Sequence, residues 1–176
     1  MQCVAFLGMS LDGFIAGPDN ELDWLEKIPP PLGNDMGYGA LMNSVDALVM
    51  GTGTFEVVAG FEGPWPYELP VVVMSKSLAQ LPEKATNAEL TTSSPEELIS
   101  ELADRGMSRL YIDGGAVVAS FAASGLLDEL IVTQLPVVLG AGIPLMRGLL
   151  EPLWLEHRST EVLENGFVQT SYAARR

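Results

Sequence analysis

The segment Met50-Gly51-Thr52-Gly53-Thr54-Phe55-Glu56 has the residue types that bind a phosphate. Glycine lets a ligand approach the main chain. Free backbone N–H groups at a helix start, with threonine hydroxyls beside them, donate hydrogen bonds to an anion. The segment follows the apolar run Ala47-Leu48-Val49-Met50, a candidate buried strand, and Phe55-Glu56-Val57-Val58 can open a helix. The same order recurs later: Leu110-Tyr111-Ile112-Asp113, then Gly114-Gly115, then a helix-like stretch over 116–123 that begins Ala116-Val117. One such junction is commonly no more than a tight turn. Two in a short chain suggest a nucleotide cofactor gripped at both ends. Gly51, Thr52, Gly53 and Thr54 serve one end; Gly114, Gly115, Ala116 and Val117 serve the other.

Other residues offer further chemistry. Ser75-Lys76-Ser77 follows a strand, and ligands of open α/β sheets gather at the carboxyl ends of strands. Ser75 and Lys76 there suit an adenosine phosphate. Asp35 lies near a helix start, where a carboxyl serves either as a proton relay or as a cap favoured by the helix dipole. Asp12-Gly13 is a turn dipeptide first and a catalytic candidate second. Gly140-Ala141-Gly142-Ile143-Pro144-Leu145 is a turn with a structural role. His157 is the sole histidine and Cys3 the sole cysteine, so no metal site is expected. No serine stands in a Gly-x-Ser-x-Gly elbow.

These residues need a scaffold. Strands are expected over 4–9, 46–50, 71–74, 109–113 and 129–135. A helix is expected from about 34 to 43 and another over 116–124. Pro29-Pro30-Pro31 ends any helix begun at 22–27. Ser94-Pro95-Glu96-Glu97 is a capping box with proline at the first helical position, and Gly106 ends that helix. The stretches 153–163 and 167–173 form a hairpin around Glu164-Asn165-Gly166. Strand–helix alternation closed by a hairpin predicts an α/β domain spanning 1–176, with a mostly parallel sheet and an antiparallel edge.

Composition narrows the function. The chain has 176 residues, 48% of them hydrophobic, enough for one real core. Net charge is −14, from nine basic and 23 acidic residues, which argues against nucleic acid and anionic membranes as partners. No apolar run approaches the ~20 residues of a membrane helix, and the N-terminus lacks the basic region of a signal peptide. A lone cysteine agrees with a reducing compartment. A cytoplasmic protein is expected. The stretches 130–139 and 149–155 carry more apolar residues than one buried face requires, which predicts a homodimer.

Four pieces, in order, resemble the dihydrofolate reductase superfamily. They are Ser10-Leu11-Asp12-Gly13-Phe14-Ile15-Ala16; Met50-Gly51-x-x-Thr54-Phe55-Glu56; Val73-Met74-Ser75-Lys76; and Asp113-Gly114-Gly115 with Gly125-Leu126-Leu127-Asp128-Glu129-Leu130 and Leu139-Gly140-Ala141-Gly142. Within it, the chain is most similar to the reductase half of the bifunctional riboflavin-biosynthesis deaminase-reductase. The resemblance implies a three-layer dihydrofolate-reductase-like fold and hydride transfer from NADPH to a C=N bond of a heterocyclic small molecule. It implies a 5-amino-6-(5-phosphoribosylamino)uracil reductase-like activity, with dihydrofolate reduction or nucleotide binding without efficient catalysis as alternatives. It places Gly51–Thr54 (51–54), Ser75 and Lys76 around the adenosine and its phosphates. Gly114 and Gly115 fall against the pyrophosphate, and the loop from Ser10 to Asn20, which holds Ala16, flanks the nicotinamide. Asp35 matches the acid that supports substrate protonation, with burial expected to raise its pKa. Thr133 matches an assisting threonine. Two positions depart from the pattern: Thr52 replaces an arginine that grips the cofactor 2′-phosphate, and Gly39 replaces an aromatic residue. NADH therefore joins NADPH as a candidate cofactor.

Overall fold

Strand β1 (Gln2–Met9) opens the chain, followed by the short β2 (Phe14–Ala16) and the helical turns α1 (Asp23–Glu26) and α2 (Tyr38–Met42). Next come β3 (Ala47–Gly51), α3 (Thr52–Gly60), β4 (Val71–Met74), β5 (Ala88–Thr91) and α4 (Pro95–Asp104). The remainder is β6 (Arg109–Asp113), α5 (Gly115–Ala123), β7 (Glu129–Gln134), β8 (Ile143–Pro144), β9 (Leu155–Val162) and β10 (Val168–Ala174). The structure is a computed structural model and describes residues 1–175.

An eight-stranded sheet runs in the order β5-β4-β3-β6-β1-β7-β10-β9. Its pairs are parallel from β5 to β7, and β10 joins antiparallel to both β7 and β9. Two-residue periodicity sorts the central side chains to opposite faces. Cys3, Ala5 and Leu7 of β1, with Ala47 and Val49 of β3, pack against α4 and α5 through Leu98, Leu102, Val118 and Phe121. Val4 of β1, Leu48 and Met50 of β3 and Tyr111 of β6 pack on the other face with Leu41 of α2 and Phe55 of α3. Apolar residues on both faces explain why these strands are nearly continuous hydrophobic runs. The result is three layers with helices on each side of the sheet.

Two expectations shift. Strand β5 and the antiparallel pair β2–β8 are additional to the expected elements. The helix expected from residue 34 begins at Tyr38, after Met36 and Gly37 take positive φ.

Candidate active site

A cleft of about 700 Å³ opens at the carboxyl ends of β1, β3 and β6. The chain leaves β3 toward β4 and β5 on one side, then returns to β6 and β7 on the other. Such a reversal leaves a crevice between the loops, where ligands of α/β sheets bind. Of the sequence candidates, Ala16, Gly51, Thr52, Gly53, Thr54, Gly114, Gly115, Ala116 and Val117 all line this cleft. Ser75 and Lys76 do not. Ser75 is buried, and its hydroxyl accepts from Thr52 Oγ1 at 2.8 Å and from the Leu78 N–H at 3.0 Å. It therefore fixes the start of α3 from behind. Lys76 is exposed beside it.

The two helices that begin at the cleft lack side-chain caps. Helix α3 has Gly51 as N-cap and α5 has Gly114, so neither N-cap residue has a side chain to accept from the first helical N–H groups; at α5 Asp113 Oδ1 takes the N–H of Gly114 itself. Helix α4, away from the cleft, has the full box: Glu97 N donates to Ser94 Oγ and Ser94 N to Glu97 Oε2. The first N–H groups of a helix have no partner within it, so α3 and α5 present donors and positive dipole ends to the cleft.

Glycine brings the two junctions together. Gly114 has φ +85° and lies directly against Thr54 Oγ1. A Cβ on Gly51 would stand 3.0 Å from Val117 Cγ2. Gly115 has a different role from the expected pyrophosphate contact at its α-carbon. A Cβ there would meet Ile15 Cδ1 at 2.8 Å and the carbonyl oxygens of Pro144 and Leu145 at 3.0 and 3.1 Å. Its missing side chain lets α5 start hard against β8.

Asp113 is the acidic group of the cleft. It ends β6 on the face that carries Tyr111, and its Oδ1 accepts the Gly114 N–H at 2.8 Å. Burial raises its pKa to about 6, although the Gly114 N–H and the Tyr111 hydroxyl favour the carboxylate. Tyr38, Tyr67 and Tyr111 gather near it. Burial first and the charge of Asp113 second raise all three phenol pKa values. Sequence reading passed over Asp113 because its glycine neighbours explained the turn. Its position at the end of a buried strand, before Gly-Gly, was the available signal.

Asp35 requires a correction. It is exposed, outside the cleft lining, and its carboxylate accepts the Gly39 N–H at 2.8 Å and the Gly37 N–H at 3.0 Å. These bonds, Gly39 first and Gly37 second, lower its pKa instead of raising it. It is a capping acid for α2. Thr133 is buried on β7, and its Oγ1 accepts from Gln169 Nε2 at 2.9 Å. The same amide donates to the Met36 carbonyl at 2.9 Å, so Gln169 and the 36–37 turn cover the threonine. Asp12 ties two loops together by accepting from Ser10 Oγ, Leu139 N and Gly140 N at 2.7, 3.1 and 2.8 Å. Among the described residues no group of His, Cys, Asp or Glu could hold a metal ion, and no helix is long and apolar enough to cross a membrane.

Comparison with known proteins bears on the fold and the family. The crystal structure of a "Putative riboflavin biosynthesis protein" from Shewanella sp. PV-4 superposes with a TM-score of 0.93 at 37% identity, covering 100% of both chains. The uncharacterized protein YwjB of Bacillus subtilis (strain 168) is 30% identical over 163 residues, 91% of each chain. Dihydrofolate reductase from Enterococcus faecalis, solved with NADP(H), covers 99% of this chain and 97% of its own with a TM-score of 0.64 at 20% identity. At that identity the likeness shows the fold: a dihydrofolate-reductase-like α/β architecture. The model of the RibD C-terminal domain matches residues 2–169, and the chain belongs to the RibD C-terminal domain family.

Proposed function

We propose that the protein is an NADPH-dependent reductase that delivers hydride to the carbon of a C=N bond in a heterocycle-linked small molecule. The reading is most specific as a 5-amino-6-(5-phosphoribosylamino)uracil reductase-like activity in riboflavin biosynthesis, carried out in the cytoplasm. One observation carries it: two helix N-termini with glycine N-caps, α3 and α5, open into the same cleft as the half-buried carboxyl of Asp113. That donor set fits a dinucleotide. Backbone N–H groups at 52–54 and 115–117 would take its phosphates, and Thr54 adds a hydroxyl. The loop ending at Ala16 and the carboxyl end of β1 at Gly8 would border the nicotinamide. When bound, the nicotinamide supplies the hydride.

The chain's own residues supply position and a proton. Reduction of C=N adds hydride to carbon and a proton to nitrogen. Asp113 Oδ1 accepts the Gly114 N–H, which leaves Oδ2 to carry the proton. A pKa near 6 gives a protonated fraction at neutral pH and an adequate acid, the balance that general acid catalysis requires. Phe6 and Tyr111 wall the cleft and would limit the water that reaches the reacting pair. Alignment of the two bound rings contributes the larger part of the rate.

The test is titration calorimetry with NADPH and NADH, followed by nicotinamide absorbance with pyrimidine ribosylamine and dihydropterin substrates. Oxidation of NADPH with the ribosylamine supports the reading. Turnover of dihydrofolate alone would reassign the substrate, and cofactor binding without turnover on any substrate would make the protein a nucleotide binder. We also propose a homodimer, supported by the exposed apolar segment around Leu150 and Trp154.

A further inference from the structure

Five of the eight basic residues among the described ones are engaged with other groups. Lys27, Arg105, Arg109 and Arg158 form ion pairs with Asp23, Glu89, Glu129 and Glu156. Lys84 Nζ donates to the Phe61 carbonyl at 3.1 Å. Lys76 is exposed beyond β4 and does not reach the cleft lining. Arg147 differs from all of these. It lines the cleft, it is the only cationic side chain among the described residues that do so, and it forms no ion pair or hydrogen bond with any described residue.

The position of Arg147 follows from packing. Leu145 is buried in the core that also holds Val117 and Val118 of α5, and Met146 packs against the same core. The Pro144 and Leu145 carbonyls abut Gly115 at the start of α5. The backbone just before Arg147 is thus pinned to the helix whose N-terminus opens into the cleft, while the guanidinium stays exposed. A protein of net charge −14 repels an anion at long range. An unpaired guanidinium on the cleft wall reverses that field locally, and its planar fork of donors matches phosphate oxygens.

We propose that Arg147 is the phosphate anchor of the cleft and contacts a phosphate group of the nucleotide cofactor. This rests on the cofactor reading given above. The phosphate is either the diphosphate bridge or the 2′-phosphate, and the choice of cofactor separates the two.

The experiment is titration calorimetry of NADPH and NADH with the wild-type protein, Arg147→Ala and Arg147→Lys, at low and physiological salt. Arg147 bonds no described residue, so the melting temperature of both variants should match the wild type. Arg147→Ala should weaken NADPH binding about tenfold or more, the scale of a charge-assisted hydrogen bond at a partly solvated site. Arg147→Lys should recover part of the loss, since it keeps the charge but not the fork. Equal loss for NADH would assign the diphosphate, and unchanged NADH binding would assign the 2′-phosphate. Either result supports the anchor. Unchanged affinity for both cofactors in Arg147→Ala would overturn it and leave the cofactor reading intact. Failure of the wild type to bind either cofactor would overturn both.

Discussion

Asp113 and Asp35 show how differently two acids of one chain are held. Asp113 has a folded pKa of about 6, above the value of an unfolded aspartate, because burial disfavours the charge. Between pH 4 and pH 6 the native state therefore binds more protons than the unfolded state, and stability falls as pH rises through that window. Above pH 6 the cost is constant, with an upper bound of about 3 kcal/mol for two pKa units. Asp113→Asn keeps an acceptor for the Gly114 N–H and removes the charge. Its melting temperature should exceed the wild type's at pH 7–8 and show no such gain at pH 4. Hydride transfer should fall about 10²-fold or more while NADPH affinity stays close to wild type, and the wild-type rate should decline as pH rises through 6. Equal melting curves for the two proteins at pH 8 would refute the buried-charge account.

Asp35 has the opposite sign. Its pKa is lowered by the Gly39 and Gly37 N–H groups, so its contribution to stability is present above pH 4 and is lost as pH falls through its folded pKa. Asp35→Asn should soften the start of α2 at neutral pH, with the difference vanishing in acid. It should leave single-turnover hydride transfer within a few-fold of wild type. A rate loss on the scale of Asp113→Asn, at unchanged stability, would restore Asp35 as the proton relay.

At the scale of elements, the glycines of the α5 junction separate binding from packing. Gly115 sits against β8 carbonyls, so Gly115→Ala should cost about 1–3 kcal/mol of stability by forcing α5 and β8 apart. Chemical denaturation checks this, and a variant as stable as wild type would contradict the close approach. Gly115→Val is for the same reason a poor probe of cofactor contact, because packing fails before binding is tested.

Much of this architecture was legible in the sequence. The buried strands β1, β3, β4, β6 and β7 appear as apolar runs because both sheet faces are covered, and Ser94-Pro95-Glu96-Glu97 announces α4 through local hydrogen bonds alone. Strand β5 escaped because Ala88-Glu89-Leu90-Thr91 is four residues at a sheet edge, too short for a period to emerge. The β2–β8 pair is held by tertiary contacts such as Gly142 against the Ala16 carbonyl, which no local pattern encodes. Both strand–glycine–helix junctions were visible as motifs. The pKa of Asp113 was not, since its burial is set by the tertiary fold and not by its sequence neighbours.

At the scale of the whole molecule, the distribution of apolar surface decides how copies meet. Of the two stretches expected to form an interface, 130–139 is mostly taken up within the chain: Leu130, Val132 and Leu135 are buried, and Val138 is exposed. The stretch 149–155 is different. Leu150 is 95% exposed and Trp154 68% exposed. They flank a mostly apolar groove of about 430 Å³ whose walls include Leu149, Leu153 and Leu155, with Val168 and Tyr172 of β10. Strand β9 lies at the sheet edge beside this groove, and among the described residues no strand pairs its outer backbone groups. An exposed tryptophan and leucine beside an apolar groove are the kind of anchor that a second copy can bury, and a two-fold arrangement lets each copy fill the other's groove. Light scattering at micromolar concentration should therefore give twice the 18.8 kDa chain mass. Trp154→Glu should shift the population toward monomer, because it places a charge where the partner would desolvate it. Its cofactor affinity should be unchanged, since Trp154 lies outside the cleft lining. A monomeric wild type would refute the dimer, and a dimer unaffected by Trp154→Glu and Leu150→Glu together would move the interface to another face.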